Sequence, residues 1–260
     1  MPETITLSTD ARGVATLTLS RADKHNSMSA QMITELHQAA DQIAADSAIR
    51  VVVLTGEGES FCAGGDLGWM REQFAADRAT RIAEARKLAD MLGALNTLPQ
   101  PLIGRVNGQA YGGGMGMMSV CDVAIAADHA KFGFTETRLG LIPATISPYV
   151  LARMGEGMAR RVFMSARLFG ADEAVTMGLA ARAVPLADLD DAVEAEVRPY
   201  LSAAPGAVAR SKRLARMLGP KLDEVTLEAT IEALADAWDD AEAHEGVDAF
   251  FAKRKPQWKA

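Results

Sequence analysis

The chain has 260 residues, 49% of them hydrophobic, and a formal net charge of −7. That length can bury the core of one large α/β domain, and the negative charge disfavours a nucleic-acid surface. Two cysteines, Cys62 and Cys121, give no disulfide framework. No run reaches the ~18 apolar residues of a membrane span. Met1-Pro2-Glu3 opens without a basic-then-apolar leader, so the expected location is cytoplasmic.

Ile5, Leu7, Leu17 and Leu19 alternate with threonine and serine around Asp10-Ala11-Arg12-Gly13, which predicts a hairpin. Arg21 to Asn26 reads as a polar loop. Met32, Leu36, Ala39, Ala40 and Ile43 predict an amphipathic helix over 30–45. Val51 to Leu54 is a continuous apolar run, expected of a strand covered on both faces. Residues 69–98 read as one helix, its early part a flap, ended by Pro99 and Pro101 before a strand over 102–106. A helix over 115–120, a strand over 123–127 and a helix over 149–166 follow. From Leu189 to Trp258 there is no strand pattern, and Pro199, Pro205 and Pro220 punctuate helices at 188–200, 206–218 and 221–242. The expected organisation is an alternating β/α core over 1–200. A helical region over 201–260 would serve oligomerisation and active-site cover. Leu222, Val225, Leu227, Ile231, Leu234 and Trp238 form a stripe expected to need a neighbouring subunit to cover it.

Two glycine segments stand out, each after a strand-like run. They are Phe61-Cys62-Ala63-Gly64-Gly65-Asp66 and Asn107-Gly108-Gln109-Ala110-Tyr111-Gly112-Gly113-Gly114. Glycine lets a backbone N–H approach a ligand closely. Two such loops at the ends of neighbouring strands could aim two N–H groups at one carbonyl oxygen, forming an oxyanion hole. A dinucleotide fingerprint at Gly114-Met115-Gly116 fails on detail: serine holds its third position, and Asp128 comes fourteen residues after Gly114 where ~20 are expected. Asp66 reads as the cap of a helix beginning near Leu67. Cys62 has no histidine near it in sequence and reads as a small side chain in a tight loop.

Together with Cys121-Asp122, Phe132-Gly133, Glu136 and Leu139-Gly140-Leu141-Ile142-Pro143, these segments resemble the crotonase, or enoyl-CoA hydratase/isomerase, superfamily from Ile5 to about Val184. The resemblance implies an α/β spiral core of ββα units acting on an acyl-CoA thioester. It implies oxyanion donors at Gly65 and Gly113 and a catalytic carboxylate at Glu136. Ala63, Gly65, Asp66, Leu67 and Gly113 would line the substrate, and Arg21 and Lys24 would face the CoA phosphates. It implies no metal, no cofactor apart from the coenzyme A of the substrate, and a homotrimer or a hexamer built as a dimer of trimers; the acidic charge argues against a nucleic-acid partner.

Gly116 departs from the pattern. Two-glutamate hydratases of the family carry their first glutamate twenty residues before the second, and that position here is Gly116. Asp66-Leu67-Gly68-Trp69-Met70-Arg71 and the stretch from Leu141 to Val150 resemble the bacterial methylglutaconyl-CoA hydratase group, whose substrate carries a distal carboxylate. Arg71 or Arg138 could pair with such a group. The expected activity is enoyl-CoA hydration, with Δ3,Δ2-enoyl-CoA isomerisation as the alternative. A non-catalytic acyl-CoA- or RNA-binding protein on the same fold is the alternative of another class. The presence of Glu136 opposes the first form of that alternative, and the acidic charge opposes the second.

Overall fold

The computed structural model describes residues 2–259. β1 (Ile5–Thr9) and β2 (Val14–Leu19) form the antiparallel hairpin, with Ile5 opposite Leu19. The Asp10 carboxylate accepts from the N–H groups of Arg12 and Val14, and Gly13 at φ 82° closes the turn. A single 3-10 turn, Ala22–Lys24, leads to α1 (Ala30–Ala45). Its cap is Ser29, whose hydroxyl accepts from the Met32 N–H at 3.2 Å.

Three successive units then repeat one plan of long strand, short strand and helix. The first is β3 (Val51–Gly56), β4 (Ser60–Cys62) and α2 (Leu67–Ala75), followed by α3 (Arg78–Thr97). The second is β5 (Leu102–Val106), β6 (Gln109–Tyr111) and α4 (Gly113–Val120). The third is β7 (Val123–Ala127), β8 (Lys131–Gly133), a 3-10 turn at Glu136–Leu139, and α5 (Ser147–Phe163). The chain continues through β9 (Phe169–Gly170), α6 (Ala171–Thr176) and β10 (Arg182–Val184). It closes with α7 (Leu189–Ser202), α8 (Pro205–Leu218), α9 (Glu224–Asp239) and α10 (Ala241–Phe251).

The long strands join the hairpin in a sheet of order β1-β2-β3-β5-β7-β10, parallel except at the hairpin. The short strands form a second sheet, β4-β6-β8-β9. β3 is buried along its whole length because both faces are covered. Val52 and Leu54 point into the main core with α1, α3, α4 and α5, while Val51 and Val53 meet Leu189, Val193 and Val197 of α7. This is the crotonase spiral.

Several expected boundaries move. The helix expected over 69–98 is two helices, because the Asp77 carboxylate accepts from the Thr80 N–H at 2.8 Å and starts α3 anew. The helix expected over 221–242 likewise divides where Asp240 caps α10 through the Glu242 N–H. α5 starts at Ser147 with Pro148 in its first turn and is broken by Gly155 at φ 70°. Residue 200 lies inside α7, which carries Pro199 without ending there.

The stripe over 222–238 is covered in part within the chain. Ile231 and Trp238 are buried and Leu222, Leu227 and Leu234 partly so; only Val225, 78% exposed, stays open. Ile82, Ala85 and Ala89 of α3 supply the cover, and ion pairs from Arg78 to Glu232, Asp236 and Asp239 clamp the two helices together. Among the described residues no helix is long and apolar enough to cross a membrane.

Candidate active site

Three residues far apart in sequence meet because β4, β6 and β8 are parallel neighbours. Cys62 lies opposite Ala110, and Ala110 opposite Phe132, so one row of the second sheet holds all three strands in register. Phe61, Cys62, Ala110 and Phe132 are fully buried, which fixes that row. Each strand then runs from its carboxyl end into a site segment: Gly65 after β4, Gly113 after β6, Glu136 after β8. Open parallel sheets place their ligands at this edge.

The Gly65 and Gly113 amides are left without acceptors by different means. Met28 forms a parallel bridge with Gly65, in which the Met28 N–H donates to the Gly64 carbonyl at 2.8 Å and the Asp66 N–H donates to the Met28 carbonyl at 2.9 Å. Backbone direction alternates along an extended segment, so the Gly65 N–H faces the other side, without an acceptor among the described residues. Gly112, at φ 48° and ψ −116°, anchors the second loop by donating to the Gly133 carbonyl at 3.0 Å. That backbone requires glycine. Gly113 is then the first residue of α4, and its N–H also has no acceptor among the described residues. It adds the positive end of the helix dipole to the site. A Cβ on Gly114 would stand 2.4 Å from the Cys62 carbonyl, so α4 presses directly on the end of β4.

Glu136 opens the 3-10 turn that Gly140, at φ 71°, closes. A Cβ on Gly112 would lie 3.0 Å from Glu136 Oε1, which places the carboxylate against the donor loop. The residue is half-buried, but Oε2 is fully buried and has no hydrogen-bond partner. Burial pushes its pKa up to about 7, and its own backbone N–H opposes this only in part. No ion pair joins it to Arg138 among the described residues. A carboxylate of that strength both takes and returns protons near neutral pH.

The turn is held from behind by α10. A Cβ on Gly140 would meet the Glu242 backbone at 2.5 Å, and one on Gly246 would meet the Leu139 carbonyl at 2.4 Å. α10 also reaches α2, where Phe74 lies 5.1 Å from His244 and the Arg71 guanidinium sits 4.6 Å over Phe251.

The remaining sequence candidates divide. Asp66 caps α2 by accepting from the Gly68 and Trp69 N–H groups, and its other oxygen takes an Arg21 N–H at 2.8 Å. Arg21 also donates to the Ser27 carbonyl at 2.6 Å, so it staples the loop before α1 to the start of α2. Lys24 is exposed, and Leu67 is 54% exposed at the first turn of α2. The Ala63 N–H is taken by the His25 carbonyl. Burial pushes the Cys62 thiol up to about 12, which leaves it inert. Among the described residues no three His, Cys, Asp or Glu side chains gather as metal ligands.

Two participants were invisible in the sequence. Met28 holds the Gly65 strand, and its methyl packs where a Gly113 side chain would go. Ile146, 3% exposed, stands where a side chain on Gly116 would project. Both act through contacts across long stretches of chain; Ile146 lies in the stretch from Leu141 to Val150 singled out above, but nothing local ties it to Gly116.

A ββα spiral whose two glycine loops meet a carboxylate with a buried, unpartnered oxygen is the arrangement of a crotonase-type enzyme. The sequence model described as Enoyl-CoA hydratase/isomerase matches residues 9–260, and the chain belongs to that family. It is 31% identical to the putative enoyl-CoA hydratase of Thermus thermophilus, across 94% of this chain and 97% of that one. It is 34% identical to the probable enoyl-CoA hydratase echA6 of Mycobacterium tuberculosis, across 96% and 98%. The crystal structure of an enoyl-CoA hydratase from Shewanella pealeana superimposes with a TM-score of 0.82 at 36% identity, covering 99% of this chain and 97% of that one.

Proposed function

We propose that this enzyme adds water across the α,β double bond of an enoyl-CoA thioester, with Glu136 as its one catalytic carboxylate. The observation that carries this reading is the buried Glu136 carboxylate, unpartnered at Oε2 and set against the loop that leads to a free Gly113 N–H. The thioester oxygen accepts from the Gly65 and Gly113 N–H groups. Charge drawn onto that oxygen makes the β-carbon electrophilic. Ionised Glu136 removes a proton from a water as its oxygen bonds to the β-carbon, and the electron pair of the double bond passes into an enolate held by the two amides. Protonated Glu136 then returns the proton to the α-carbon, giving syn addition with one group in both roles. The hydrocarbon of Ile146 in place of a first glutamate favours this shared use.

A single carboxylate also suffices for Δ3,Δ2 isomerisation, which is the second reading. Turnover in H₂¹⁸O separates the two. The expected product is a 3-hydroxyacyl-CoA with ¹⁸O on its β-carbon. Conversion of a 3-enoyl-CoA to its 2-enoyl isomer, with no 2-enoyl- or glutaconyl-CoA hydrated, would overturn hydration.

The favoured acyl group is a branched, methylglutaconyl-type chain. Arg138 lies two residues past Glu136, carries no ion pair among the described residues, and is the fitting partner for a distal carboxylate. Lys24, rather than the already engaged Arg21, is the cation free to meet the CoA phosphates. The assembly we propose is a trimer or a dimer of trimers. Its contact surface moves from α9 to α8 and the start of α9, where Leu214, Leu218 and Val225 are 52%, 75% and 78% exposed. Light scattering should give three or six times 27.6 kDa, and an active monomer at micromolar concentration would refute it.

A further inference from the structure

A cavity of about 1080 Å³ opens between α5, α7 and α8, and neither Gly65, Gly113 nor Glu136 lines it. In a chain of net charge −7, its wall carries four cations, Arg153, Lys212, Arg213 and Arg216, against one carboxylate, Asp122. Two of the cations are already engaged. Lys212 Nζ donates to Asp122 Oδ2 at 2.7 Å and to the Gln100 carbonyl at 3.2 Å. Arg153 donates to the carbonyls of Ser119, Cys121 and Asp122 at the C-terminal end of α4. The one lining carboxylate is therefore spent.

Arg213 and Arg216 have no ion-pair partner among the described residues. Arg216 Nε is buried without an acceptor. Ser119, 2% exposed and also in the wall, has a buried Oγ without a partner. Buried polar groups in folded proteins almost always find partners, so such orphans call for an explanation. The rest of the wall is largely apolar, with Tyr149, Tyr200, Val208 and Leu222. Adjacent unpaired guanidiniums with an apolar wall fit a molecule with an oxyanion head and a hydrocarbon body.

We propose that this cavity is a second ligand site, separate from the catalytic one, that binds an amphipathic carboxylate with its head on Arg213 and Arg216. The apolar wall selects such a molecule over inorganic phosphate, which has no body to bury there. Because the two arginines lie on α8, outside the catalytic segments, binding and turnover are separable.

Calorimetric titration with decanoate, with the active site saturated by coenzyme A, tests this. One equivalent should bind. The Arg213→Gln/Arg216→Gln protein should bind at least about tenfold more weakly, with kcat/KM for an enoyl-CoA unchanged. A diazirine-bearing decanoate supplies a reading independent of any variant: adducts should map to residues 206–218. The site is disproved by equal affinity in the double variant, by no binding, by phosphate binding as tightly as decanoate, or by label confined to residues flanking Gly113 and Glu136. A cavity filled by a second copy of this chain would also disprove it.

Discussion

The side chain of Ile146 occupies the space into which Gly116 would project a side chain: a Cβ built at Gly116 comes 2.4 Å from Ile146 Cγ2. The absence of a first glutamate is thus more than one substitution. A hydrocarbon from the turn before α5 has closed the position, and Leu92 Cδ1 of α3 lies 3.6 Å from the same Cβ.

Restoring the glutamate alone should fail. Gly116→Glu overpacks a buried site, which typically costs about 1–3 kcal/mol, and it buries a carboxylate against the hydrocarbon of Ile146. Its melting temperature should fall well below that of the parent. Adding Ile146→Ala should recover much of the loss, and a double variant that melts no higher than Gly116→Glu would show that Ile146 is not the obstacle.

Glu136→Gln should reduce turnover by ~10²–10⁴, the usual worth of a general base. For the parent enzyme, kcat/KM for hydration should rise with pH through about 7, because the ionised carboxylate takes the water's proton. A flat profile between pH 5 and pH 9 would remove Glu136 from that role.

The same carboxylate sets a stability trend. Its folded pKa lies above the ordinary 4.5, so the folded chain binds the proton more tightly than the unfolded one. The benefit is complete below about 4.5 and is lost as pH rises through about 7, a swing of about 3 kcal/mol at most. Glu136→Gln should therefore melt higher than the parent at pH 8 and similarly at pH 5. A lower melt at pH 8 would contradict the burial argument.

At Gly113 an added Cβ would come within 2 Å of the Met28 methyl, the flexible end of a side chain. Gly113→Ala should lose ~10² or more in turnover, the scale of one lost oxyanion donor. The damage should travel through Met28 to the Gly65 bridge. Met28→Ala added to Gly113→Ala should then restore much of the activity. No recovery would mean that the Cβ itself obstructs the thioester.

Arg138→Gln should raise KM for a glutaconyl-type thioester and leave crotonyl-CoA kinetics nearly unchanged. Equal effects on both substrates would assign Arg138 no part in reading a distal carboxylate.

Elements with long, uniform patterns were legible in the sequence. The helix over 30–45 and the strands over 102–106 and 123–127 begin and end where apolar spacing placed them. β4, β6 and β8 were not, because three residues are too few to display a period of two. Yet those strands align Gly65, Gly113 and Glu136 in space. Candidate residues could be named from their motifs, while the sheet that brings their segments together could not be read. The breaks at Asp77 and Asp240 rest on single capping carboxylates within helix-favouring sequence, so periodicity ran across them. The stripe over 222–238 was a correct reading of amphipathicity, but nothing local says that α3 supplies much of its cover.

The fit of α10 behind Glu136 gives the enzyme an order of assembly. Gly65, Gly113 and Glu136 are all synthesised long before Gly246, yet the turn bearing Glu136 rests its Leu139 carbonyl against that glycine. On the ribosome the chain therefore carries its whole chemical inventory for more than a hundred residues before the surface that positions the base exists. Until α10 emerges and docks, a nascent or prematurely terminated chain holds Gly65, Gly113 and Glu136 without the surface that backs the Glu136 turn.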